Sequence, residues 1–171
     1  MTANWVSAQS AVYFTRKSQV SFISDAPLEL IKAASSQLKG YLDAGKHTFY
    51  FEVPSASFTG FNSPLQQVHF YENYLESQKY PEASFKGKII EQTDFSRNGD
   101  YTIRAKGSLM IHGVEQERII RVRIMVNRGI MLATSDFSVL LREHNIKVPK
   151  VVYQKIAEEI MVHVSMEMIR K

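Results

Sequence analysis

Gln67–Ile89, QVHFYENYLESQKYPEASFKGKI, changes its periodicity midway from that of a helix to that of a strand. It opens with a polar and aromatic segment in which His69, Glu72, Asn73 and Glu76 recur at three and four residues and share one face of a helix. Tyr80-Pro81 ends that segment. Proline fixes its own φ, lacks an N–H and pushes the preceding residue toward extended geometry, so the helix stops by Lys79. Beyond the break, Ala83, Phe85, Gly87 and Ile89 alternate with Ser84, Lys86 and Lys88, the period of a strand with one apolar and one wet face. One short helix therefore delivers the chain into a sheet.

Downstream the strand period continues through Ser84–Gln92, Tyr101–Ile111, Glu117–Asn127 and Met131–Leu141, and a last strand is expected at Glu159–Arg170. Tyr101, Ile103, Ala105, Gly107, Leu109 and Ile111 face one way, with Thr102, Arg104, Lys106 and Ser108 opposite. Ile120, Val122, Ile124 and Val126 repeat the pattern against Arg121 and Arg123, as do Ile160, Val162, Val164, Met166 and Met168 in the final strand. Arg97-Asn98-Gly99-Asp100 and His112-Gly113 supply residues that tolerate positive φ and are read as reversals. The segment REHNIKVPKVVYQKI before the last strand, with its proline and polar residues, reads as a loop with a short helical turn.

Upstream, Ala11–Phe14 and Val20–Ile23 read as a hairpin joined through Arg16-Lys17-Ser18. In LELIKAASSQLKGYLDAG, which follows Pro27, Leu28, Ile31, Ala34, Ser35, Leu38 and Leu42 recur at helical spacing. From His47, Phe49, Phe51 and Val53 alternate with Tyr50 and Glu52 until Pro54. Phe58 and Phe61 then stand in the loop SASFTGFNSP, as plugs closing one end of the fold or as the lips of a portal. Long antiparallel strands without intervening helices favour closure into a barrel over a sandwich, because closure removes exposed edges.

The histidine followed by Glu-Asn-Tyr and by Lys-Tyr-Pro-Glu-Ala-Ser-Phe-Lys-Gly, together with DYTIRAKGSLMIHG at Asp100–Gly113, resembles the signature of the YceI-like family of lipocalin-like proteins. The two blocks and their flanking strands span about two thirds of the chain. The resemblance implies an all-β fold, an antiparallel lipocalin-like β-barrel of about eight strands with one short helix capping an end, formed by residues 1–171 as a single domain. It implies strand, where periodicity alone suggests helix, after Pro27. It also implies a long apolar, isoprenoid-like ligand and a periplasmic or secreted location. Many members of that family carry an Arg-Asp pair just before the histidine; Gln66-Gln67-Val68 stands there in this chain.

Composition narrows the function classes. The chain has 171 residues, 44% hydrophobic and 22% charged, which suits a globular domain with a sizeable core. The formal charge is +4, but Lys and Arg are scattered singly along strands and turns, so no nucleic-acid partner is expected; a weak attraction to acidic membrane surfaces is the remaining electrostatic partner. Cysteine is absent, and the start, MTANWVSAQSAVY, lacks the basic and apolar regions of a signal peptide, so an exported protein would be met here in mature form.

No G-x-S-x-G elbow or S-x-x-K box is present, and His47, His112, His144 and His163 lie apart, with His112 read as a turn residue. His69 with Glu72 and Asn73 is the nearest approach to a metal motif. The same helix suggests a second class of function, an enzyme on a lipid-like substrate with His69 as general base aided by Glu72 or Tyr74. The simpler expectation is that His69 and Asn73 bond loop backbone and hold the helix over the barrel end; no metal, cofactor or catalytic set is expected.

For the barrel interior, a filled core and a hollow one are both open on pattern alone. Aromatics on facing strands, Gly87 and Gly107 at inward positions and the adaptable pair Met166 and Met168 favour a hollow one, and the resemblance adds weight. The expected ligand-lining residues are Phe22, Phe49, Phe51, Phe58, Phe61 and Phe85 among the aromatics, with Tyr101 and Phe137, and Ile89, Ile103, Ile120, Val122, Ile124 and Val164 among the aliphatics. The partner they would take is a long-chain apolar small molecule, an isoprenoid or lipid.

Overall fold

The computed structural model describes residues 11–171, so the expectation that the first ten residues lack signal-peptide character lies outside it. The strands are β1 (Val12–Asp25), β2 (Leu30–Ser35), β3 (Lys39–Asp43), β4 (Thr48–Pro54), β5 (Glu82–Ile89), β6 (Gly99–Ile111), β7 (Val114–Asn127), β8 (Ile130–Leu140) and β9 (Glu159–Arg170). Every pairing is antiparallel, and β1 joins β9 to close the sheet. β2 pairs with the second half of β1 (Val20–Asp25) and β3 with its beginning (Val12–Phe14), so these two short strands share one position in the wall. Among the described residues, nine strands thus make an eight-position barrel.

β1 departs from the expected hairpin. It runs unbroken for 14 residues, and Arg16-Lys17-Ser18 is absorbed by a bulge between Thr15 and Lys17. A bulge needs only one extra residue, whereas a reversal needs residues suited to positive φ, and none stands there. Arg16 pairs with Glu167 on β9, and the Ser18 hydroxyl donates to the Leu38 carbonyl (2.7 Å) where β2 jogs into β3. The segment after Pro27 is strand, as the resemblance implied, because Ile31, Ala33 and Ser35 turn inward while Leu30 and Lys32 face solvent. Its helical spacing came from joining two strands across Ser36–Leu38.

The turns divide. His112 (φ 55°) and Gly113 (φ 70°) form a two-residue turn with both residues left-handed, which matches the twist of the flanking strands, and Arg128 and Gly129 (51°, 78°) repeat it between β7 and β8. Gly99, expected to reverse the chain, instead opens β6 in ordinary extended backbone. The reversal from β5 is a longer loop, in which Phe95 is 2% exposed and seals the barrel floor.

The helix also differs from expectation. α1 begins earlier, at Pro64, because Ser63 caps it by accepting from the Gln66 N–H (3.1 Å) and proline suits the first turn. It ends at His69, passes through one wider turn over Phe70–Tyr74, and is finished by Glu76 in left-handed backbone (φ 47°). Glu76 therefore leaves the face it was expected to share with His69. In and just before the segment REHNIKVPKVVYQKI lie two single 3₁₀ turns, Leu141–His144 and Lys150–Val152.

One end of the barrel is closed by Tyr13, Leu42, Phe49, Phe95, Met131 and Met168. At the other end, the top, lie α1, the loop after β4 and the long connection from β8 to β9. The wall is incomplete near this end. β7 and β8 pair only from Arg123↔Thr134 to Asn127↔Ile130, although each stays paired to its other neighbour along its length. Above that ladder the two strands part. The Ser135 hydroxyl donates to the Arg121 carbonyl (2.7 Å) at the fork, and His144 Nδ1 meets the Val114 carbonyl (3.0 Å) at the top. The lateral window between them is roughly 20 Å long at ~3.3 Å per residue.

Gly87 and Gly107 lie opposite each other on β5 and β6. A Cβ on Gly107 would sit 2.0 Å from the Lys86 carbonyl oxygen, so the pair is there to let two backbones approach, not to leave room for a guest. Gly107→Ala is expected to cost about 1–3 kcal/mol as overpacking between strands. Gly129→Ala, with open space around the added methyl, carries only the left-handed backbone penalty of about 1–2 kcal/mol. Urea unfolding of the two variants tests this, and an unchanged stability for Gly107→Ala contradicts the crowded geometry.

On the outer face, the Tyr50 hydroxyl donates to the Glu52 carboxylate (2.7 Å). That bond, with burial second, pushes the Tyr50 pKa from 10.0 up to about 12. Because the folded value is raised, the bond's contribution is complete below the ordinary tyrosine pKa and is lost as pH climbs from 10.0 through about 12. In an alkaline absorbance titration, Tyr50→Phe should remove a step near pH 12, and Glu52→Gln should draw that step back toward 10.0. An unchanged titration in both variants contradicts the assignment.

Candidate functional site

The barrel encloses a cavity of about 560 Å³. Its shape follows from side-chain size along the inward-facing register. Phe49, Phe51 and Phe85 build an aromatic wall on β4 and β5, with the Phe49 and Phe85 rings 4.9 Å apart. Ile120, Val122 and Ile124 on β7 and Val162, Val164 and Met166 on β9 form the aliphatic side. Between them Ala83, Ala105 and Ala133 present only methyl groups, and the centre stays open.

At the top, Phe22, Phe58, Phe61 and Phe70 form an aromatic cluster, with centroid separations from 4.9 Å (Phe61–Phe70) to 6.1 Å (Phe22–Phe61). The two loop aromatics have different places. Phe58 is 6% exposed and locked in the upper core, whereas Phe61 is half-buried at the mouth. The Tyr71 hydroxyl donates to the Phe58 carbonyl and ties the helical segment to this loop. Burial raises the Tyr71 and Tyr74 pKa values, so both phenols stay neutral donors.

Polar groups gather at the rim. Glu29 accepts from Asn62 Nδ2 (3.1 Å) and Gln66 Nε2 (2.9 Å), which fixes the start of α1 over the opening. His69 and Lys155 border the cavity there, and neither side chain bonds a described residue. His69 is thus not the anchor it was expected to be. Nor does Asn73 bond the loop; Ser63, Asn62, Gln66 and Tyr71 do that work, because the helix starts at Pro64, three residues before Gln67. Glu72 and Asn73 are exposed and do not border the cavity, so the set expected for metal binding is not assembled around it, whereas Tyr74, the other expected aid to His69, does border it.

His112 does more than turn the chain. Its Nε2 meets the Glu76 carboxylate (2.5 Å), its Nδ1 meets the His144 carbonyl (2.9 Å), and the Tyr80 ring stands edge-on to it at 4.9 Å. Three top elements are thereby clamped together: the end of the helical segment, the β6–β7 turn and the 3₁₀ turn after β8. The expected lining residues all border the cavity except Tyr101. Tyr101 packs edge-on against Phe95 (5.7 Å) and donates to the Arg97 carbonyl (2.7 Å), so it belongs to the barrel floor. Phe70, Leu109 and Val53 also border the cavity and were not singled out. Phe70 was findable, since it recurs with Tyr74 at helical spacing opposite the polar face.

With this geometry in place, the comparisons fall into line. A comparison with curated protein sequences finds no match. Among solved structures, a polyisoprenoid binding domain from Saccharophagus degradans superposes with a TM-score of 0.79 at 10% identity, covering 95% of this chain and 100% of that one. BcnA of Burkholderia cenocepacia gives 0.71 at 16% identity over 88% and 95%. The YceI protein of Campylobacter jejuni gives 0.65 at 14% identity over 82% and 85%. At such identities the likeness shows a shared fold. The YceI-like domain matches residues 7–168, and this chain belongs to that family of lipocalin-like barrels.

Proposed function

We propose that the protein binds and sequesters or carries a long apolar molecule, isoprenoid- or lipid-like, inside the barrel, and that it does so in the periplasm or outside the cell. The observation that carries this reading is the cavity itself: about 560 Å³, closed at one end, lined by aliphatic and aromatic side chains, with its polar groups confined to the rim and the fork. Its size is typical of small-molecule sites. Membership of a family of binding barrels supports the reading, as does the shared fold of the Saccharophagus degradans domain, which is a polyisoprenoid binding domain.

The energetics are sufficient. Removing about fifteen to twenty carbons from water at ~0.8 kcal/mol per CH₂ gives an upper bound on the order of ten kcal/mol before ordering costs. Catalysis is the weaker reading, because no base, acid or nucleophile is bonded to His69 among the described residues.

Titration with a fluorescent long-chain polyene, competed by geranylgeraniol, tests this function. The parent protein should enhance probe emission saturably, and Ala83→Trp, which places an indole in the cavity, should abolish the enhancement while circular dichroism shows the barrel intact. Equal enhancement by both proteins places the probe elsewhere and overturns the reading.

The mouth yields a second expectation. Phe61→Ser should speed probe release by roughly an order of magnitude with little loss of stability, since a half-buried ring at the opening is removed. Phe58→Ser should cost about 3–5 kcal/mol, as for truncation of a buried phenylalanine. Stopped-flow release and urea unfolding separate gate from core; a Phe61→Ser variant that unfolds like Phe58→Ser rules out the gate.

A further inference from the structure

The window between β7 and β8 holds a cation that the apolar cavity does not account for. Arg118 lies on the inward register of β7, in step with the buried Ile120 and Ile124, while its neighbours Glu117 and Ile119 face solvent. Its guanidinium carbon is 5.8 Å from the centre of the Phe137 ring, on the facing stretch of β8, and Phe137 borders the cavity. Across the ladder on its other side stands Gly107, which has no side chain to fill the space. Arg16, Arg97, Arg104, Arg123 and Arg142 each pair with a carboxylate. Arg118 makes no ion pair or hydrogen bond with any described residue.

A half-buried guanidinium with only a ring face for company has lost water without gaining an acceptor. Its planar fork of donors fits an oxyanion, a carboxylate or phosphate, through two parallel hydrogen bonds. Where the strands part, no ladder closes β8 against β7 at Arg118, and the cavity begins on the inner side of Phe137. We propose that Arg118 receives the acidic head group of an amphiphile whose tail fills the cavity, and that the β7–β8 window is where that head group sits. The assignment rests on the binding function above and makes it specific: the ligand is a long-chain acid or isoprenyl phosphate, not a neutral hydrocarbon or alcohol.

The experiment compares two pairs of probes matched in chain, palmitate with hexadecanol and farnesyl phosphate with farnesol, by displacement of the fluorescent polyene. The parent should bind the acid of at least one pair about tenfold or more tightly than its alcohol, the scale of a charge-assisted hydrogen bond, and which pair does so identifies the oxyanion. Arg118→Gln should abolish that preference and leave alcohol binding unchanged, and Arg118→Lys should restore part of it. Arg121→Gln, an exposed neighbour, and Lys155→Gln, the cation at the rim, should keep it. Equal binding of acid and alcohol by the parent, or a preference that survives in Arg118→Gln or is lost in Lys155→Gln, overturns the assignment while leaving the cavity reading standing. Failure of all four probes to bind overturns both.

Discussion

The ladder between β1 and β9 closes the sheet into a barrel. It runs from Tyr13↔Arg170 to Ile23↔Met161 and joins the first strand to the last. Without it the sheet would present two long edges and an apolar face that had to find cover elsewhere. The bulge at Thr15–Lys17 is part of the device, since the added local twist lets one 14-residue strand serve β9 along one side and two short strands, β2 and β3, along the other. The close approach at Gly87 and Gly107 is the matching feature on the far wall. Closure of this kind comes from backbone geometry and leaves side chains to decide whether the interior is full.

Here the interior is hollow because side-chain volume is unevenly distributed. Phenylalanines crowd the top and the β4–β5 wall and large residues seal the floor, while alanines occupy inward positions between them. An apolar cavity lacks the dispersion contacts of a filled core, and an apolar guest of matching shape supplies them. The clamp of Glu76, His112 and His144 and the Glu29–Gln66 contact hold the top elements without plugging the centre.

Much of this was legible in the sequence, for a physical reason. β6 to β9 are long strands with one wet face, and their alternation placed Ile103, Ile120, Ile124 and Val164 on the inner wall; the span Glu159–Arg170 matches the observed strand. Features that depend on tertiary context were not legible. Arg16-Lys17-Ser18 has the composition of a turn and becomes a bulge because β9 pairs straight past it. Glu76 leaves its helical face because a left-handed residue ends that segment. Tyr101 keeps inward parity yet lies below the cavity floor, and position along a strand axis does not show in a two-residue period. Arg118 read as one more charge on a strand; only the parting of β7 from β8, which no local pattern encodes, gives it its setting.

Native mass spectrometry of gently purified protein, followed by organic extraction of the same sample, asks whether the barrel retains a long apolar molecule. A retained ligand gives a species heavier than the bare chain, and an extract containing a long-chain compound of the matching mass difference. A bare chain that also takes up no long-chain probe after delipidation would contradict that retention.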